Sequence, residues 1–393
     1  MLPRIMLLRT HRGIGRPPFE NIALVLQGGG ALGAYQGGVY QAMHEADIEP
    51  NWVAGISIGA INAALIAGNA PEDRTAALRG FWESITAPHG GLIGGAWDAI
   101  DPPAHGTDMR RFVNNMHAAA ALFQGAPGFF SPRLPPPYMQ PTGSNEAVSY
   151  YDTSKLRKTL MEFADFDRIN SGETRISLGA VNIRSGNFVY FDSRTDVIRP
   201  EHVMASGALP PGFPAVEIDG ELYWDGGIVS NTPLQWVVQD RPMHDTIAFQ
   251  VDLWSAQGLL PRDLTEVSMR QKEIQFSSRT RQNTDQFMQL QRLRVALRKL
   301  LKQVPTELLE SEEGRLLHIA ASETVIKVVH LIYRSRQHES DSKDYEFSRR
   351  SMREHWGSGL TDAVRTLRDP AALKRPHADV GAETYDLARS DAR

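Results

Sequence analysis

Two short stretches carry the side chains most able to do chemistry. Residues Gly55-Ile56-Ser57-Ile58-Gly59 read G-x-S-x-G between an apolar run, Trp52 to Ile56, and a small-residue helical stretch, Ile58 to Ala67. A serine at a strand-to-helix bend is held strained and exposed, as a nucleophile must be. Side chains two residues to either side would collide there, so Gly55 and Gly59 suit the bend. The helix below the serine offers free N–H groups and a positive dipole end to developing negative charge. A bare G-x-S-x-G is common in surface turns; the flanking strand and helix favour the nucleophile elbow.

A serine hydroxyl is a weak nucleophile and needs a base. Asp225 is the best candidate: it follows Tyr223-Trp224 at a strand end and precedes Gly226-Gly227. Its carboxylate can reach a cleft without crowding, although a turn aspartate is the plainer reading. The rival bases are His44, His89, His105, His117, His202 and His244. His244 follows Asp225 and completes a Ser, Asp, His order, but none of the six sits in a recognisable motif. No His/Asp/Glu cluster has metal-ligand spacing, so neither a metal nor a cofactor is expected.

Gly28-Gly29-Gly30-Ala31-Leu32-Gly33 follows one apolar run and precedes a helix, which satisfies the dinucleotide fingerprint G-x-G-x-x-G. That fingerprint wants an acidic residue at the end of the next strand, and here that strand ends in Ser57. The better use of the loop is to turn unhindered backbone N–H groups on an oxyanion.

The elements that must position these groups alternate along the chain. Asn21 to Gln27 reads as a buried strand, Ala34 to Ala46 as a helix, then the Ser57 strand and helix follow, and Glu72 to Ile85 is another helix. This β-α-β-α order predicts an α/β fold with parallel strands. Further strands are expected at Arg175 to Asn182, Asn187 to Asp192, Val216 to Ile218, Leu222 to Trp224 and Asp245 to Leu253. Asp263 to Gln303 is a long basic helix with an apolar stripe, suited to packing on the domain or to lying on an anionic membrane. Thr324 to Tyr333 reads as a late core strand, and Phe347 to Leu367 as a helix pair broken near Gly357-Ser358-Gly359.

The expected organisation is a disordered arm (1–19), a catalytic domain (20–255), a mostly helical C-terminal extension (256–370) and a frayed tail (371–393). An apolar, Gly- and Pro-rich insertion at 88–150 suits a lid, a pocket wall or short helices packed on the core. The net charge of -4 removes bulk basicity as a reason to expect nucleic acid, and the absence of cysteine excludes disulfides and thiolate chemistry. The N-terminus lacks the features of a signal peptide, and no apolar run approaches the ~20 residues of a membrane span. A cytoplasmic protein, with peripheral membrane contact as an option, is the default expectation. Oligomeric state is not legible.

Taken together, these residues resemble the patatin-like phospholipase family. The resemblance rests on Gly28 to Gly33, Gly55 to Gly59 and Asp225-Gly226-Gly227, with Ala205 to Pro210 and Asn231-Thr232-Pro233 in family order. It covers about Asn21 to Leu253, and the remainder looks like the C-terminal extension of a bacterial subgroup. It implies a three-layer α/β/α sandwich around a mainly parallel central sheet, and a Ser-Asp dyad without histidine. Ser57 would be nucleophile and Asp225 base, with Gly28, Gly29 and Gly30 as oxyanion hole. Gly33, Gly55, Gly59, Gly226 and Gly227 would support the motifs. The implied activity is acyl-ester hydrolysis on a lipid or carboxyl ester, through an acyl-enzyme. Leu32 stands where the family usually has Arg or Lys, which keeps short acyl esters, neutral lipids and polyesters open beside phospholipid. The alternative of another class is a non-catalytic acyl-lipid-binding or membrane-associated interaction protein.

Overall fold

Apolar residues alternate along the strands and reach two different helical layers. In β1 (Asn21–Leu26), Ile22, Leu24 and Leu26 join one core while Ala23 and Val25 join another. In β2 (Trp52–Ile56), Val53 faces the first core, and Trp52 and Ala54 face the second. Strands buried on both faces belong inside a sandwich. The computed structural model describes residues 10–86, 107–240, 243–336 and 338–387, with the backbone alone at 107 and 278–283. It has that three-layer α/β/α arrangement.

The remaining strands are β3 (Ser131–Pro132), β4 (Tyr151–Asp152), β5 (Arg175–Asn182), β6 (Phe188–Asp192), β7 (Val216–Ile218), β8 (Glu221–Asp225), β9 (Thr246–Asp252), β10 (Ile326–Ile332) and β11 (Ala382–Asp386). Nine of them form one sheet in the order β11-β10-β9-β1-β2-β5-β8-β7, with β6 also paired to β5. From β11 through to β5 every neighbouring pair is parallel; β6, β7 and β8 add antiparallel pairs at the other side. One layer holds helices Ala34–Glu45, Ile58–Ala67, Arg74–Ile85 and Arg349–Leu367. The other holds Leu234–Val238 and the long helix Leu264–Leu301, whose Phe287 and Met288 pack under the sheet.

The extension continues the sheet, since β10 lies parallel to β9 in register Val328 with Ala248. Residues expected in a frayed tail instead give β11, paired to β10. Part of the expected disordered arm is also packed: Gly15 N–H donates to Ala46 O at 2.9 Å, and Phe19 is buried.

Helix Arg349–Leu367 runs unbroken through Gly357-Ser358-Gly359, contrary to the expected break. Its glycine serves close approach: a Cβ at Gly359 would sit 2.0 Å from Tyr35 O, and one at Gly38 would sit 1.9 Å from Trp356 O. Small residues on both helices let the two backbones touch.

The described part of the insertion holds a helix (Thr107–Gln124), strand β3, which pairs with β4 just beyond it, and short helical turns at Pro137–Met139 and Asn145–Val148; His89, His105 and the Leu92-Ile93 cluster lie outside the described residues. The long helix meets acids of its own chain: Arg270 with Glu273, Lys272 with Asp344, Arg298 and Lys302 with Glu323, and Lys299 with Asp379. Among the described residues no helix is long and apolar enough to cross a membrane.

Candidate active site

Parallel strands present their carboxyl ends on one edge, and chain order reverses there between β1 and β9; ligands favour such a crevice. The Gly28–Gly30 loop leaves β1 at this edge, Ser57 leaves β2, and Leu253-Trp254 leave β9.

Ser57 turns the chain with φ +57° and ψ −125°, a left-handed strain expected of a nucleophile elbow. Both flanking glycines are needed for space. A Cβ on Gly55 would meet Gly59 O at 2.2 Å, and one on Gly59 would meet Leu26 O at 2.3 Å. Helix Ile58–Ala67 starts immediately, while the Ser57 N–H donates back to Ser206 O and Oγ, each at 3.1 Å. Ser206 Oγ donates in turn to Gly179 O at 2.6 Å, tying the bend to β5.

Asp225 ends β8, and β5 separates it from the serine strand. Ile56 is in register with Gly179, and Ala180 with Asp225. Across that gap both side chains line the same cavity, and the Ser57 side chain favours the charged form of the Asp225 carboxyl. The Gly227 N–H donates to Asp225 Oδ1 at 2.7 Å. Asp225 is 1% exposed. Burial drives its pKa up to about 7, against the opposing pull of Ser57 and Gly227. A base poised near neutrality suits proton transfer at ordinary pH.

The loop after β1 divides its amides. Gly28 N–H is already donated to Asn231 O at 3.2 Å, and Ala31 N–H to Asp344 O at 2.8 Å. Gly28 O accepts from Asn231 Nδ2 at 2.9 Å and from Trp254 Nε1 at 3.0 Å. Gly28 is therefore an anchor of the loop, and Gly29 and Gly30 are the members whose amides carry no such bond among the described contacts. Gly33 lies against Ile58 and Trp82, while Gly226 lies against Gly179.

Ser57, Asp225, Gly28, Gly29, Gly30 and Gly227 all line one cavity of about 300 Å³. Its walls are apolar, with Phe129, Phe130 and Phe213 stacked edge to face and tilted at ring separations of 5.3 to 5.7 Å. Part of the insertion thus forms a pocket wall. Among the described residues no histidine, lysine or arginine lines it. His244 instead pairs with Glu20, His44 with Glu49, and His202 is buried against Phe191. Leu32 is fully buried and also absent from the lining. Among the described residues no group of His, Asp and Glu could hold a metal ion.

Sequence reasoning missed Trp254, Phe276, Asp344, Tyr345 and Phe347, which also line the cavity. All come from beyond the quoted motifs, and four from the extension. Asn231 stood in a quoted motif, without its part in anchoring Gly28.

A family model described as patatin-like phospholipase matches residues 24–237, and a second, described as patatin phospholipase, matches 274–379. No curated protein matches the chain. Among solved structures, VipD from Legionella pneumophila is 13% identical over 94% of this chain and 72% of that one, with TM-score 0.39. The complex of SpcU with ExoU from the type III secretion system of Pseudomonas aeruginosa gives 17% identity over 77% of this chain and 61% of the matched chain, with TM-score 0.26. The first family model alone spans more than half of the 393 residues, and the chain belongs to the patatin-like phospholipase family, as an enzyme of the esterase and phospholipase kind.

Proposed function

We propose that the protein hydrolyses carboxylic esters of apolar acyl chains, with Ser57 as nucleophile and Asp225 as its base. The observation that carries this reading is that Ser57 and the buried Asp225 share the lining of one apolar cavity, with Ser57 favouring the charged Asp225 carboxylate.

Ser57 Oγ attacks the ester carbonyl carbon and passes its proton to the Asp225 carboxylate. The carbonyl oxygen takes up the negative charge and is met by the Gly29 and Gly30 amides and the start of helix Ile58–Ala67. Each such donor is typically worth roughly 10² to 10³ in kcat. The C–O bond to the alcohol breaks, and Asp225 returns the proton to the departing oxygen. Water then attacks the acyl-enzyme as Asp225 takes its proton. The carboxylic acid leaves and Ser57 is restored. The half-exposed rim residues Leu122 and Leu209 are the side from which a lipid ester would be drawn off a membrane surface.

The test is Ser57→Ala, with a fluorophosphonate probe applied to both proteins. The wild type should turn over a chromogenic acyl ester and take one adduct on Ser57, and the variant should do neither while melting at the same temperature. Turnover by the variant would remove Ser57 from the mechanism. An unlabelled, inactive wild type would favour a binding protein.

A further inference from the structure

The long helix Leu264–Leu301 belongs to the extension, yet one of its turns reaches the glycine loop from two sides. On the β1 side, Phe276 O accepts from Gln27 Nε2 at 3.2 Å. Gln27 Oε1 in turn accepts the N–H groups of Leu253 at 2.6 Å and Trp254 at 3.0 Å. On the other side, Lys272 Nζ donates to the Asp344 carboxylate at 2.9 and 3.2 Å and to Asp341 O at 2.7 Å. The same ammonium lies 5.0 Å from the centre of the Tyr345 ring.

What Lys272 holds bears directly on the loop. The main-chain oxygen of Asp344 accepts the Ala31 N–H at 2.8 Å. That oxygen would lie 2.0 Å from a Cβ on Gly30, whose φ is +54°. Backbone presses on backbone, beside the two amides offered to the oxyanion.

We infer that Lys272 is a positioning residue of the reaction: by fixing Asp344 it seats the carbonyl that clamps Gly30-Ala31, and so sets the aim of the Gly29 and Gly30 amides. The inference rests on the reading of Ser57 and the glycine loop given above. It makes the extension a working part of the catalytic body. The pair is suited to the task because Asp344 borders an apolar cavity. A carboxylate left there without its cation reorients or takes a proton, and the segment it belongs to moves with it. Misplacing a catalytic donor by about 1 Å can cost roughly 100-fold in rate.

The experiment uses the full chain with Lys272→Met, Lys272→Arg, Asp344→Asn and the double variant Lys272→Met/Asp344→Asn. Lys299→Met serves as control, because Lys299 pairs with the distant Asp379 on the same helix. We expect Lys272→Met and Asp344→Asn each to lower kcat roughly 10- to 100-fold, with KM within about threefold, and the double variant to be no worse than either, as for members of one unit. Lys272→Arg should recover most of the rate, and Lys299→Met should match the wild type. A trifluoromethyl ketone adds to Ser57 and forms an oxyanion, whereas the matching methyl ketone binds without one. The variants should weaken the first inhibitor in step with kcat/KM and leave the second unchanged. Wild-type kcat in Asp344→Asn, or equal weakening of both ketones, would overturn the inference. Turnover surviving in Ser57→Ala would bring down the underlying reading instead, so the two failures are distinguishable.

Discussion

Replacing Asp225 by Asn should make the protein more stable at alkaline pH while stopping its chemistry. Asp225 is 1% exposed, and burial lifts its pKa from 3.8 to about 7. Below 3.8 the carboxyl is protonated in both folded and unfolded chains, so it costs nothing. Between 3.8 and about 7 the unfolded chain gives up its proton while the folded chain keeps it, and stability falls as pH rises. Above 7 the full cost stands. About three pH units at roughly 1.4 kcal/mol each give about 4 kcal/mol, an upper figure for the gain on substitution. Asn keeps the size and can still accept the Gly227 N–H. The assay is urea unfolding of both proteins from pH 4 to 9. The variant should gain at pH 8 by about 1 to 4 kcal/mol, and the gain should vanish near pH 4. Asp252, also raised to about 7 by burial, is common to both proteins and cancels in the difference. In parallel, wild-type kcat/KM should rise with pH through an inflection near 7 as the base ionises. A variant less stable at every pH, or a rate flat from pH 5 to 9, would refute the reasoning.

Three other outcomes follow from particular contacts. Gly59→Ala forces a Cβ to within 2.3 Å of Leu26 O; backbone cannot yield there, so unfolding should become easier by about 3 kcal/mol or more, read from denaturant midpoints. Asn231→Ala removes one of the two donors on Gly28 O; stability should drop by about 1 to 3 kcal/mol, and kcat should fall about tenfold as the glycine loop loosens. The cavity of about 300 Å³ is bounded by apolar walls, so one limiting length of acyl chain fills it. An ester panel should peak near that length, and Phe347→Ala should move the peak to longer chains; a panel without a peak would contradict the pocket assignment.

The half of the sheet that carries Ser57 and Asp225 was legible because each of its signals is local. The run ending at Ser57, the glycines at 55 and 59, and the strand ending at Asp225 each declare themselves within about five residues. The pocket's other half was hidden because its contacts are distant in sequence. Ala31 and Asp344 share a hydrogen bond across more than 300 residues, and nothing around Asp344 marks it beforehand. Gly357 and Gly359 misled for the opposite reason: they resemble a helix stop. Helix Arg349–Leu367 needs Gly359 for its seat on helix Ala34–Glu45, and tertiary packing overrode the local preference. The residues near 382–386 look polar and tail-like, yet an edge strand exposes half its side chains and is polar for that reason.

The sheet order has a consequence for inheritance. β9 is wholly buried and lies between β1 and β10. A gene shortened after residue 255 would keep both the serine and the aspartate, yet it would bare an oily strand with a row of unspent amides. Such an edge recruits copies of itself, and the product would precipitate rather than persist as a smaller esterase. In this chain the stretch that holds Ser57 and Asp225 therefore depends on β10 of the extension to cover β9.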